Sequence, residues 1–244
     1  MAGAGLGGLV AASLSPMQHL LGLTVVGLVV TAAAGPTLLR HEPPRPAERP
    51  HDSAEGTPRR LDSRTRGLVI VFGLIALCTA YGEGAMADWG ALHLEQDLDA
   101  SPGLAAAGYS CFALAMSVGR LTGTALLERL GRARTVVVGG TVATAGMLLG
   151  AFAPSVWAAL LGFAVAGLGL ANLFPVAVER AGTLAGPSGV AVASTLGYGG
   201  MLLGPPAIGF MADWFSLPAA LTSVAVLAAV AVLIGVMTRH AAQG

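Results

Sequence analysis

The sequence predicts an all-α fold, a polytopic bundle of transmembrane helices. Hydrophobic residues make up 55% of the 244 positions and charged residues only 11%, whereas a soluble domain carries about 25% charged residues. Apolar runs long enough to cross a hydrocarbon core of about 30 Å recur along the whole chain. None of these runs alternates with the period of two that a strand would show. The chain is therefore expected to be a multi-pass membrane protein.

Seven apolar runs are long enough to be full spans. They lie at 17–39, 67–93, 103–127, 134–153, 155–178, 188–212 and 216–238. A shorter apolar stub of about 12 residues precedes them, and at about 1.5 Å per residue it cannot cross the core. The start also lacks the positively charged n-region of a signal peptide.

A loose internal repeat gives a hypothesis about the stub. Residues 5–23 and 204–224 share a glycine-rich helix end, a short turn with Ser and Pro, and a new apolar helix. If the repeat is real, the stub is the outer half of a helix equivalent to 188–212. The chain would then begin in the middle of a transmembrane helix.

The longest polar segment, residues 40–66, is rich in Pro, Arg, Glu and Asp and nearly free of apolar residues. Such a segment cannot bury a core, so we predict a flexible linker. It divides the chain into residues 1–39, with the stub and one helix, the linker 40–66, and a six-helix bundle over 67–240.

The basic residues are all arginines, and their placement predicts orientation. Threading seven spans puts twelve of them on one side: Arg40, Arg45, Arg49, Arg59, Arg60, Arg64, Arg66, Arg129, Arg132, Arg134, Arg180 and Arg239. The thirteenth, Arg120, lies about two turns inside a span. By the positive-inside rule that side is cytoplasmic, which predicts a plasma-membrane or inner-membrane protein with a cytoplasmic linker and carboxyl terminus.

The opposite side carries an acidic loop, "HLEQDLDASP", with His93, Glu95, Asp97 and Asp99. A metal site is conceivable there, but a solvated acidic loop is the favoured interpretation. No cofactor or metal is expected elsewhere. The net charge of zero gives no support to nucleic-acid binding.

Cys78 and Cys111 fall in apolar runs without metal-ligand spacing and are expected to be small core residues.

Two carboxylates stand out in "YGEGAMADWGALHL", residues 81–94. Glu83 lies slightly outward of the middle of its span and is flanked by Gly82 and Gly84, on a face of small residues that suits a helix contact or a cavity. Because an ionised carboxylate at a helix centre costs about 2.5–3.5 kcal/mol on insertion scales, two interpretations stay open. Glu83 either binds a proton or a solute, or makes one interhelical hydrogen bond for packing. Asp88, five residues on, points about 140° away. It is a weaker candidate for the solute or proton path, and an interfacial polar residue or a pair to an outer loop is favoured there.

Other polar residues inside spans are weaker candidates for a solute path. Asn172 precedes Phe174 and Pro175, and it either lines the path or bonds a carbonyl that the proline frees. Tyr198 lies between two glycines. It could stack on a sugar-like ligand, although a packed tyrosine is favoured.

The turn "GRLTGTALLERLGRAR", residues 119–134, resembles the loop signature of the major facilitator superfamily. The roles of that signature fall on Gly123, Glu128, Arg129, Gly131 and Arg132, followed by Arg134. The gap from Gly123 to Glu128 is one residue longer than the usual form. A tight glycine turn would bring Glu128 and the arginines to the membrane edge, where they can pair.

Three further stretches resemble the fucose-permease-like bacterial branch of that superfamily: "GEGAMADW" (82–89), "GLGLANLFP" (167–175) and "TLGYGGMLLGPPAIGF" (195–210). The resemblance covers essentially the whole chain. It implies that the stub is the end of helix five, that 17–39 is helix six, and that 67–238 are helices seven to twelve of a twelve-helix transporter, with helices one to four absent.

The resemblance implies a secondary transporter that moves a small solute across a lipid bilayer, coupled to protons, with this chain as an amino-terminally truncated form. A missing amino-terminal half or a second copy of the chain would be its partner. Alone, the chain is expected to dimerise through its open face or to be unstable. The alternative is an inactive membrane remnant or scaffold that only pairs with a partner half. An enzyme is not expected, because HExxH, GxSxG and GxGD motifs are absent from the sequence.

Overall fold

The structure is a computed structural model that describes residues 16–40 and 62–241. Its helices are α1 (Pro16–Arg40), α2 (Ser63–Gln96), α3 (Pro102–Ala105), α4 (Ala107–Leu121), α5 (Gly123–Leu130), α6 (Arg132–Ala151), α7 (Val156–Leu170), α8 (Leu173–Trp214) and α9 (Leu217–Ala241). No strand occurs in these two ranges. The predicted all-α bundle is confirmed, while the stub and most of the predicted linker lie outside the described residues.

The described chain divides into two compact units. Helix α1 belongs to one unit, and α2 to α9 form the other. Helix α1 is a continuous helix of 25 residues with Pro36 inside it. Its most apolar described stretch is Thr24–Ala33.

Five helical runs are long and apolar enough to cross a membrane, against seven predicted spans. The difference has two causes. One run, Val156–Trp214, has 59 residues and therefore a length of about 88 Å if straight, which is more than one crossing. It contains both predicted spans 155–178 and 188–212. The other cause is α1, which is helical but has a shorter apolar stretch among its described residues.

Helix α8 reverses direction inside its 42 residues. Ala185 and Gly186 have non-helical backbone angles, and the φ of +58° at Gly186 lies in the left-handed region that favours glycine. Pro187 follows, and its fixed φ suits the first turn of a new helix. The reversal divides α8 into a first arm, 173–184, and a second arm, 187–214.

The second arm of α8 packs against α2 through glycine. A side chain on Gly200 would collide with the carbonyl oxygen of Leu77, and one on Gly84 would collide with the carbonyl oxygen of Met201. Backbones at this distance require small residues, as in membrane helix pairs generally. The contact aligns the two helices along the stretch of α2 that carries Glu83.

Helices α6 and α7 form a second close pair. Gly146 faces the backbone nitrogen of Ala166, and Gly162 faces the backbone of Gly150. Large apolar side chains fill the space between these pairs and α4, among them the fully buried Phe112, Met116, Met147 and Phe163. The bundle thus holds its helices by small-residue contacts around a narrow apolar core.

Candidate functional site

Glu83 is paired with Arg120, a residue that was not among the predicted site residues. Arg120 Nη2 donates to Glu83 Oε2 at 3.1 Å, which joins α2 to α4. The Glu83 side chain is 18% exposed and that of Arg120 is 38% exposed. An ion pair in a bilayer removes much of the cost that either charge would carry alone.

Arg120 also contacts the break between α7 and α8. Its Nε donates to the carbonyl oxygen of Ala171 at 3.4 Å. In a continuous helix that carbonyl would accept from the N–H of residue 175, but Pro175 has none. Arg120 therefore occupies the acceptor that the proline frees, and one guanidinium links Glu83 on α2 to the end of α7.

Asn172, at the same break, also bonds α4, but here the side chain at the break is the donor and a backbone carbonyl of α4 is the acceptor. Its Nδ2 donates to the carbonyl oxygen of Gly119 at 3.0 Å, and the side chain is 7% exposed. Gly123 lies so close to Asn172 Oδ1 that a β-carbon there would collide with it. Asn172 therefore bonds a carbonyl of α4 and not the one freed by Pro175.

The other predicted path residues lie apart from this contact. Asp88 is exposed. Tyr198 is 61% exposed, with its ring tilted against Phe174 at 6.1 Å between centroids, so the packed tyrosine that we favoured is not what the structure has. In contrast, Tyr109 on α4, which was not among the predicted site residues, is half-buried and lies within electrostatic range of both Glu83 and Arg120.

The predicted loop signature forms the end of α5 and the start of α6. The sharp turn lies at Gly131, whose φ is +74°, while Gly123 lies at the start of α5. We expected Glu128 to pair with the arginines, but Arg132 instead donates through both Nε and Nη2 to Glu179 Oε1. Glu128 and Arg129 are exposed.

A shallow groove lies beside this turn, between α5 and α6. It is lined by Thr124, Leu127, Glu128, Gly131 and Arg132.

The acidic loop does not assemble a metal site. Among the described residues no group of three or more His, Cys, Asp or Glu side chains is placed to hold an ion. His93 is 1% exposed, with Nδ1 at 2.8 Å from Asp97 Oδ2 and Nε2 at 3.2 Å from the carbonyl oxygen of Gly150. It is therefore a buried contact between α2 and α6, and not part of a solvated loop as we expected.

Comparison with known proteins decides the family. The profile of the Major Facilitator Superfamily matches residues 72–243. The chain belongs to the major facilitator superfamily. Among its curated relatives, an uncharacterized MFS-type transporter of Yersinia pestis is 35% identical over 217 residues, which is 88% of this chain and 54% of the relative.

Two rhizobial proteins are also similar. The membrane protein MosC of Rhizobium meliloti is 35% identical over 63% of this chain and 38% of its own length. An uncharacterized transporter of Sinorhizobium fredii is 36% identical over 65% of this chain and 45% of its own length. The chain thus spans about half, or less, of the curated relatives that it matches. Together with its apolar helices, these likenesses make it a multi-pass membrane protein of a transporter family.

For this major facilitator chain, sequence reasoning missed two partners, Arg120 and Glu179. The signal for Arg120 was present, since it is the one arginine inside a span, and a charge there needs a partner. Its 37-residue separation from Glu83 gave no way to see that they meet. Glu179 was missed because it lies next to Arg180, and such a charged pair is typical of the polar end of any helix.

Proposed function

We propose that α2 to α9 form the carboxyl-terminal half of a secondary transporter that moves a small solute together with protons. The observation that carries the proposal is the pair of Glu83 and Arg120 at a helix break. In secondary transporters, interrupted helices near the middle of the membrane are where solute and coupling ions bind. A carboxylate in such a place can take and release a proton during the cycle.

The proposal gives a role to three of the predicted residues and to the loop motif. Glu83 is the proton acceptor, Asn172 holds the break at α7 and α8, and Tyr198 presents an exposed ring on the second arm of α8. The motif around Gly131 holds two cytoplasmic helix ends together through Arg132 and Glu179.

The path of the solute would run along the face of this half-bundle. A second six-helix half, in the same protein or in a partner, would complete it.

The test uses this chain joined to the part of the Yersinia relative that it does not cover. The joined protein is reconstituted in liposomes, and uptake of a panel of small polar solutes is measured with and without a proton gradient. Saturable uptake that depends on the gradient is the expected result.

Glu83→Gln should then abolish gradient-driven uptake without loss of protein from the membrane. Asp88→Asn, a carboxylate on the same helix that is exposed, is the matched control and should do much less. Near-wild-type uptake by both variants would return Glu83 to a packing role. Absence of any uptake by the unsubstituted joined protein would favour a scaffold.

A further inference from the structure

Arg120 has hydrogen-bond donors to spare. A guanidinium carries five N–H donors in a planar fork. Among the described residues, one donor of Arg120 goes to Glu83 and one to the carbonyl of Ala171. The side chain is 38% exposed, so the remaining donors are within reach of a solute.

The charge of Arg120 is permanent, while that of Glu83 is not. Arginine keeps its proton at any pH a cell meets. If Glu83 takes a proton during transport, the guanidinium loses its counter-charge inside a helical run that is apolar enough to cross a membrane. An unpaired charge in such surroundings is strongly unfavourable. A neutral solute would leave that charge uncompensated, whereas an anion would restore the balance.

We propose that the solute carries a carboxylate, which binds Arg120 when Glu83 is protonated; the inference rests on the proposed function. Before binding, the site holds Arg120⁺ and the Glu83 carboxylate. One proton converts Glu83 to the neutral acid, and the carboxylate of the solute takes its place on the fork. The net charge is zero before and after, so one proton enters with each anion. A carboxylate also matches the two parallel donors of a guanidinium.

Glu83 is the acid that is placed to control this exchange. Arg120 and Tyr109 are the titratable groups of α4 near it. Helix α7 contains no titratable residue, and neither does α9 between Leu217 and Met237. The second arm of α8 supplies Tyr198, whose ring lies against Phe174, and Asp213 near its end.

Asp88 on α2 itself points about 140° from Glu83. It is also exposed. It is therefore not placed to replace Glu83 at the guanidinium.

The test measures binding to the purified 244-residue chain in lipid nanodiscs. The probes are acetate, lactate and benzoate, each beside its neutral amide. Carboxylates should bind saturably at millimolar concentration or below, and the amides should not. Because one proton is taken up with each anion, affinity should fall by about tenfold per pH unit in the range where Glu83 is ionised.

Three variants separate charge from folding. Arg120→Gln should lose carboxylate binding, while Arg64→Gln, an exposed arginine outside the site and the loop motif, should keep it. Glu83→Gln keeps the arginine and mimics the protonated acid, so it should bind carboxylates with the pH dependence gone. This variant keeps the test decisive if Arg120→Gln fails to fold.

Equal binding of amides and carboxylates overturns the inference, as does the absence of saturable carboxylate binding, or carboxylate binding that Arg120→Gln leaves intact. Gradient-driven uptake of a neutral solute that depends on Glu83 in the joined protein would also overturn it, while the proposed function stands. Carboxylate binding without any uptake by the joined protein would contradict transport and leave the anion site in place.

Discussion

At the scale of single residues, Glu83 and Arg120 form an ion pair between α2 and α4. Glu83 alone at a helix centre would cost about 2.5–3.5 kcal/mol on insertion scales, and an arginine would cost a similar amount. Their contact at 3.1 Å turns two unfavourable residues into one pair. The pair still has an exposed side, which the proposed function requires for access by a proton and a solute.

His93 is another polar residue that the described bundle buries with specific partners. Both ring nitrogens face acceptors, the carboxylate of Asp97 and the carbonyl of Gly150 near the end of α6. The last four carbonyls of a helix have no partner within it. The His93 ring therefore bonds the carbonyl of Gly150, which no N–H of α6 can reach. Phe163 covers the ring at 6.1 Å between centroids.

We expect His93→Ala to lower the free energy of unfolding by about 1.5–3 kcal/mol, the range for a buried hydrogen bond to a charged group. Thermal unfolding in detergent gives the measurement. Glu95→Gln is the control, because Glu95 is exposed two positions away, and its midpoint should match that of the unsubstituted protein. Equal midpoints for all three proteins would show that the contact contributes nothing to stability.

At the scale of helices, neighbouring glycines on the second arm of α8 have different surroundings. A β-carbon on Gly200 would lie 2.3 Å from the carbonyl oxygen of Leu77, whereas Gly199 has open space around it. Only the first of the two positions therefore depends on the absence of a side chain. Gly200 is one of the close glycine contacts between α2 and α8, together with Gly84.

Gly200→Ala should destabilise the protein by about 1–3 kcal/mol, because the helices must move apart or the backbone must shift. Gly199→Ala should be neutral or stabilising by up to about 1 kcal/mol, since alanine favours a helix over glycine. Thermal unfolding of the two variants side by side checks this. A Gly200→Ala protein as stable as Gly199→Ala would mean that the helices pack less closely than the structure has them.

The helices themselves were predictable, because hydrophobic length determines a span before any tertiary contact forms. The predicted spans 67–93 and 134–153 correspond to α2, Ser63–Gln96, and α6, Arg132–Ala151. The breaks were harder. Pro175 indicated the break between α7 and α8. The carbonyl of Ala171 that it leaves without a helical partner accepts from Arg120, which lies on another helix. Contacts between distant parts of the chain depend on helix register, which hydropathy does not contain.

At the scale of the whole molecule, arginine placement predicts which side of the membrane each loop occupies. The start of α2, the turn at Gly131 and the reversal at Gly186 alternate along the chain with arginine-free turns after Gln96 and Ala151. Arginines are retained on the cytoplasmic side during insertion. The helix order and the charges together therefore predict the orientation.

Single cysteines at Ser53 and Ser101 test this orientation in intact cells, in a protein that also carries Cys78→Ala and Cys111→Ala so that neither native thiol can react. A maleimide that cannot cross the membrane should label the cysteine at Ser101, which is exposed, and not the one at Ser53. Both should be labelled once the membrane is opened, which controls for reactivity. The cysteine at Ser53 should stay unlabelled in intact cells because Ser53 lies between Arg49 and Arg59, in a segment whose positive charge opposes translocation. Labelling of both sites from outside would place the arginine-rich segment on the wrong side and overturn this topology.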